Sequence, residues 1–195
     1  QAIAAKTGYP VDGVISLDPV VLSSILSVTG GINVEGIDVN ADNAVQLLLS
    51  ETYLRFPGDQ APADAFFAAT SAAVFQKLVA GEWDLMRMLE VFGEAGEQQR
   101  LYAWFAREEE EQVARELGID GTMKADNTET TEIGIFLNDA AVSKLEYYLS
   151  TSISVSCDPS ARTVSTSITM TNSVDRDDLT YHILGLRSPR YGGER

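Results

Sequence analysis

Hydrophobic positions along this chain follow the period of a strand in some stretches and of a helix in others. VISL, Val14 to Leu17, is a short β-rich run bounded by Gly13 and Asp18. It predicts a buried strand. Behind it, Val21, Leu22, Ile25, Leu26 and Thr29 recur at helical spacing. Asp18 suits the N-cap, because its carboxylate accepts orphan backbone N–H groups, and Pro19 suits the first helical position, because it has no N–H to lose. Gly30-Gly31 offers a left-handed exit before Ile32 to Val34 enters a second strand. The pattern predicts a β-α-β crossover, with Val14 to Leu17 as a parallel strand.

Further along, Asn40 heads a helix expected from Ala41 to about Arg55, with Ala44, Leu47 and Leu48 on its buried face. Pro57, Gly58 and Pro62 mark a loop. A helix over about 63–80 follows, with Phe66, Phe67, Val74, Phe75, Leu78 and Val79 as a wide apolar stripe and Gly81 as its end. Leu85 to Phe92 predicts another helix. LYAWF, Leu101 to Phe105, reads as a buried strand, with a helix continuous with Glu108 to Leu117 as its rival. IGIFL, Ile133 to Leu137, is strand-like, and Asn138-Asp139 could cap a short helix through Leu145. From Leu149 the period changes to two. Leu149, Ile153, Val155 and Cys157 alternate with serines, and Val164, Ile168 and Met170 repeat the pattern after DPSAR. This predicts an antiparallel hairpin with one polar face. Leu179 to Leu184 suggests a third strand, and the tail SPRYGGER an unstructured end.

Charge narrows the function classes. The 195 residues carry a formal net charge of −15, with 45% hydrophobic residues. A polyanion would be repelled before contact, which argues against nucleic acid as a partner, and an anionic membrane surface is disfavoured likewise. No apolar stretch approaches the roughly 18 to 20 residues that span a bilayer. The chain starts at Gln1, so it reads as a piece of a longer protein whose anchor or export signal lies elsewhere. One cysteine cannot form an internal disulfide and assigns no compartment.

The titratable residues offer little to a reaction. His182, the one histidine, reads as a half-buried strand residue, and Cys157 as a small buried thiol on the apolar side of its strand. No His or Cys cluster suits zinc. Asp38-x-Asn40-x-Asp42 opens like a calcium loop, but Asn43 replaces the turn glycine and Leu49 stands in the place of the bidentate Glu. A phosphate cradle needs its glycines before a helix, and here they follow it. Glu108 to Glu111 reads as a solvated face at a helix start. Asp18, at the carboxyl end of a strand, is either a cap or a catalytic or metal-holding carboxylate. Asp139 after IGIFL has the same two readings.

DGVISLDPVVLSSILSVTGGINVEG, NAVQLLLSETY and FLNDAAVSKLEYYL, followed by the Ser/Thr-rich hairpin, resemble an uncharacterised bacterial family common in actinobacterial proteins. Its members carry an N-terminal transmembrane anchor, an extracytoplasmic α/β domain and a β-rich region. That family is in turn distantly similar to the LytR-CpsA-Psr enzymes, which transfer lipid-pyrophosphate-linked glycopolymers to the cell wall. SVTGGINV matches their first element, and Tyr53-Leu54-Arg55 matches their Tyr-x-Arg. Pro57 stands where a second arginine belongs, and Phe67, Thr70 and Ser71 replace the arginines and glutamine that would follow Asp64. A guanidinium grips pyrophosphate oxygens in pairs, so those losses weaken a transferase site.

The expected fold is therefore α/β, a mixed sheet flanked by helices and LytR-CpsA-Psr-like. Residues 1–148 form the α/β domain, and residues 149–195 belong to the same sheet or begin a second domain. The expected role is an extracytoplasmic module of a membrane-anchored cell-envelope protein that binds a wall component or an envelope protein, without cofactor. The rival is a divergent phosphotransferase or pyrophosphatase, with Arg55 on phosphate and Asp64 or Asp18 holding magnesium. An intracellular acidic enzyme unrelated to either family is a third reading.

Overall fold

The computed structural model describes residues 8, 10–56, 60–123, 126, 128, 133–175, 177 and 179–185. The chain forms two compact units, Gln1–Leu48 with Asp64–Ile135, and Leu49–Ala63 with Phe136–Arg195. It is a mixture of helices and small sheets.

The first unit opens with β1 (Gly13–Leu17) and α1 (Pro19–Thr29). Asp18 caps α1 as expected, accepting from Val20 N at 2.9 Å and Val21 N at 3.0 Å. Gly30 ends it at φ 78°. Ile32 does enter a strand, β2 (Ile32–Val34), but its partner is β3 (Ile37–Val39), reached through the two-residue turn Glu35-Gly36. Both turn residues have positive φ, 51° and 83°, which matches the twist of a tight hairpin. β1 instead pairs antiparallel with β4 (Leu101–Phe105). The expected crossover and mixed sheet are thus replaced by antiparallel pairs among the described residues, because each strand finds a partner other than the one the helix would deliver.

Asn40 does not start a helix at Ala41. Its carboxamide oxygen accepts from Asp42 N and Asn43 N, which delays α2 (Ala44–Gln46) by three residues. Leu47–Glu51 is π-helical and α3 (Thr52–Arg55) follows. α4 (Gln60–Ala80) begins three residues earlier than the pattern indicates and ends at Gly81. α5 (Leu85–Glu97) outruns its expected length, capped by Asp84 on Arg87 N. LYAWF is the strand β4, and α6 (Glu108–Glu116) follows it.

The core of this unit gathers Val21, Ile25 and Leu26 of α1, Val34 and Val39 of the small hairpin, Phe66 and Val74 of α4, Met88 of α5 and Leu101 of β4. The wide stripe expected on α4 is half filled. Phe66 is buried, whereas Phe75 and Val79 are 66% and 69% exposed.

In the second unit, residues 136 and 137, like 133–135 in the first, form no strand, which corrects the reading of IGIFL. A 3-10 turn, Leu145–Tyr148, leads into β5 (Leu149–Asp158) and β6 (Thr163–Asn172). They pair antiparallel from Leu149↔Asn172 to Asp158↔Thr163, as the alternation predicts. Leu179 to Leu184 is not a strand: Thr180 caps the single helical turn α7 (Tyr181–Leu184), its hydroxyl accepting from Ile183 N. Ile183 is fully buried and its carbonyl accepts from Lys144 N at 3.0 Å. The loop residues Pro57 and Gly58 and the tail SPRYGGER lie outside the described residues.

Candidate functional site

An uncharged groove runs along β1. In an antiparallel pair, residues alternate between those bonded to the partner and those whose N–H and C=O face away. Asp12 O accepts from Ala106 N, one step beyond the Gly13↔Phe105 pair. This fixes the parity, so Val14 and Ser16 bond β4 while Gly13, Ile15 and Leu17 direct their backbone groups to the other edge. β4 fills its own outer edge: Ala103 N donates to Ile119 O, and Phe105 N to the Glu111 carboxylate, both at 2.8 Å. The outer edge of β1 has no such partner among the described residues.

Beside this open edge lies a cavity of about 800 Å³. All of β1 lines it, with Leu22 and Ile25 of α1, Ser71, Val74, Phe75 and Leu78 of α4, and Phe92 of α5. No charged side chain is among them, in a chain of net charge −15. Residues directly opposite each other in an antiparallel pair share a sheet face. Ile15, Leu17 and Gly13 therefore share theirs with Ala103, Leu101 and Phe105. Ala103 and Leu101 are buried on that face, yet Ile15 is 62% exposed. The core side of the sheet is covered under β4 and open under β1.

Of the residues singled out from the sequence, Asp18 has its carboxylate occupied twice. One oxygen caps α1 and the other is ion-paired with Arg100. Asp64 lies exposed on α4, in the same unit. Arg55 is exposed at the end of α3, in the other unit. Asp139 there holds a turn, accepting from Ala141 N at 2.8 Å and from Ser143 N. Among the described residues, no group of three His, Cys, Asp or Glu side chains is placed to hold a metal ion. In the calcium-like stretch, Asp38 is committed to the Asn33 carboxamide and Asn40 to two backbone N–H groups.

His182 is half-buried as expected, but in α7 rather than a strand, stacked on Tyr181 at 3.8 Å between ring centroids and flanked by Tyr53. Lys144 lies over the Tyr53 ring, and Ser50 and Tyr148 share a hydrogen bond of 2.8 Å. Cys157 is exposed, not buried. Both faces of the β5–β6 hairpin are open beyond Leu149, and on the apolar side of the alternation Ile153, Val155, Val164, Ile168 and Met170 are 43–49% exposed.

The perturbed carboxyls belong to turns. The Thr122 hydroxyl lowers Asp120, the Thr128 hydroxyl lowers Asp126, and the Ser160 hydroxyl lowers Asp158, each from an ordinary 3.8. None of the three is buried, so they report hydrogen bonds local to each turn rather than a shared site.

Sequence reading missed the groove. Its one signal was β1 itself, a strand with no charge, no proline and no lysine to guard an edge. Residues 1–53 match a family described as "Protein of unknown function (DUF4012)". That stretch covers β1, α1 and the small hairpin. No curated protein and no solved structure matches. No helix among the described residues is long and apolar enough to cross a membrane.

Proposed function

We propose that this chain is a non-catalytic binding module of a membrane-anchored, extracytoplasmic cell-envelope protein, and that the groove beside β1 receives an apolar segment of an envelope component. The supporting observation is the groove: about 800 Å³, open, uncharged and walled by exposed side chains such as Ile15 and Phe75. Exposed contiguous apolar surface of this kind marks docking sites. The anchor, the compartment and a LytR-CpsA-Psr-like ancestry rest on the sequence resemblance.

The rival, a phosphotransferase or pyrophosphatase, draws on Tyr53-Leu54-Arg55. Against it stand the cap and ion pair that occupy Asp18, and the missing second arginine at Pro57. Nile red, a neutral apolar dye, separates the two. The binding reading expects saturable emission with one dye per chain, lost in Phe75→Ser, and no thermal shift with a polyprenyl pyrophosphate and magnesium. Dye uptake unchanged in Phe75→Ser sinks the groove reading. A shift with the lipid pyrophosphate that Arg55→Ala abolishes puts the transferase reading ahead.

A further inference from the structure

We propose that the partner docks by adding an extended strand to the open edge of β1, and that this strand is uncharged and apolar at alternate positions within the groove and basic in its flanks. The inference deepens the binding-module reading and rests on it.

Three features carry it. First, Gly13, Ile15 and Leu17 present their backbone N–H and C=O groups away from β4, over a strand about 17 Å long at 3.3 Å per residue. An unfilled edge is a template for another strand. β1 carries none of the usual guards, having no lysine, proline or bulge, while β4 has its outer edge closed by Ile119 and Glu111. Second, the sheet face that Ile15 shares with buried Ala103 continues over the groove, where Ile15 is 62% exposed. A strand beyond β1 would direct every second side chain to that face, onto Leu22, Phe75 and Leu78. Those positions must be apolar, since a charge there meets no partner among the lining residues. Third, outside the groove the protein's field is that of a −15 chain. It repels acidic flanks and attracts basic ones. The same charge disfavours a second copy as the occupant.

The probe is a fluorescein-labelled peptide, Lys-Lys-Val-Thr-Val-Thr-Val-Lys-Lys, titrated with the full chain and followed by anisotropy. One peptide should bind per chain, and glutamates in place of the lysines should weaken binding in a salt-dependent way. Ile15→Pro removes one outward donor and leaves the bonds to β4 in place, since the Ile15 N–H faces away from that strand. It should weaken binding about tenfold. Because that variant could distort β1, two N-methylated peptides test the same point on the native chain. Methyls on the valine nitrogens block one strand edge and methyls on the threonine nitrogens the other, so one set should abolish binding and the other spare it. Equal effects of the two sets, or unchanged affinity of Ile15→Pro, overturn strand addition. If Nile red enters the groove but the basic peptide does not bind, strand addition falls and the binding-module reading stands. If neither binds, both fall. A concentration-dependent dimer that Ile15→Pro dissociates makes a second copy the occupant, and the proposed partner is then wrong.

Discussion

Replacing Asp18 decides between a structural and a chemical role for the carboxylate that sequence reading could not separate. Its first contribution is the cap. Two backbone N–H groups at the start of α1 lose their acceptor in Asp18→Ala, which costs about 1 kcal/mol. Its second is the ion pair with Arg100, whose side chains are 36% and 41% exposed. At that exposure water screens the pair, and its share falls to about 0.3 kcal/mol. Asp18→Ala should therefore lose about 1.3 kcal/mol. Asp18→Asn keeps a capping oxygen and loses only the charge, so it should cost about 0.3 kcal/mol, close to Arg100→Ala. Urea unfolding is the suitable assay, because guanidinium would screen the pair. Both tryptophans, Trp83 and Trp104, lie in the same unit as Asp18, so their emission reports the right transition. The double variant Asp18→Asn, Arg100→Ala should cost no more than the dearer of the two singles. An Asp18→Asn loss equal to that of Asp18→Ala would show that charge, not capping, is what the position supplies. A neutral or stabilising Asp18→Ala would refute the cap altogether and restore a functional carboxylate.

Two further outcomes test the second unit. Gly185 sits at φ 56°, and a Cβ there would come within 2.3 Å of Ala141 O. Gly185→Ala should destabilise that turn by about 2–4 kcal/mol, from overpacking added to backbone strain. Hydrogen exchange at the Lys144 amide, which donates to Ile183 O, should rise, and unchanged protection there would contradict the packing described. At the hairpin loop, the Ser160 hydroxyl is the largest cause of the lowered Asp158 pKa. The bonds to that carboxylate thus steady the turn above the ordinary value of 3.8 and are lost as pH falls through the lower folded value. Ser160→Ala should move the Asp158 titration, followed by carboxyl carbon NMR, up toward 3.8 but not all the way. The Ala161 and Ser160 amides still donate, so a titration that does not move would remove the hydroxyl from the account.

Local chemistry was legible in the sequence wherever a few neighbouring residues decide the outcome. Asp18-Pro19 starts α1, Gly30 and Gly81 end their helices, and the alternation from Leu149 marks an antiparallel hairpin. Pairing between distant strands was not legible. Nothing in VISL says that its partner lies at LYAWF, about ninety residues on, and a two-residue Glu-Gly turn was enough to divert Ile32–Val34 to β3. The helical stripe on α4 likewise told which residues share a face but not how far the core extends across it, so Phe75 and Val79 came out exposed. Cys157 failed for the same reason. Alternation assigns side chains to two faces, and only tertiary packing decides whether either is covered.

Some of the exposed apolar residues also stand on strands nearly free of charge. β1, β5 and β6 carry a single charged side chain between them, Asp158, in a chain with 29 acidic and 14 basic residues. α6, by contrast, holds Glu108, Glu109 and Glu110 in solvent and is laced with ion pairs to Arg115, while Glu111 turns in to Phe105 N. A surface that only keeps a protein dissolved mixes charges everywhere, whereas the centre of a docking patch excludes them and keeps apolar side chains in view. The groove at β1 meets that description and adds something the hairpin lacks, a concave bed of core side chains beside an open backbone edge. Backbone bonds to such an edge recognise any extended chain, so selection must come from the side chains that enter the bed and from the charge that flanks it. That division of labour is why exchanging lysine for glutamate in the flanks, with the central residues untouched, should alter affinity without altering which strand edge is used.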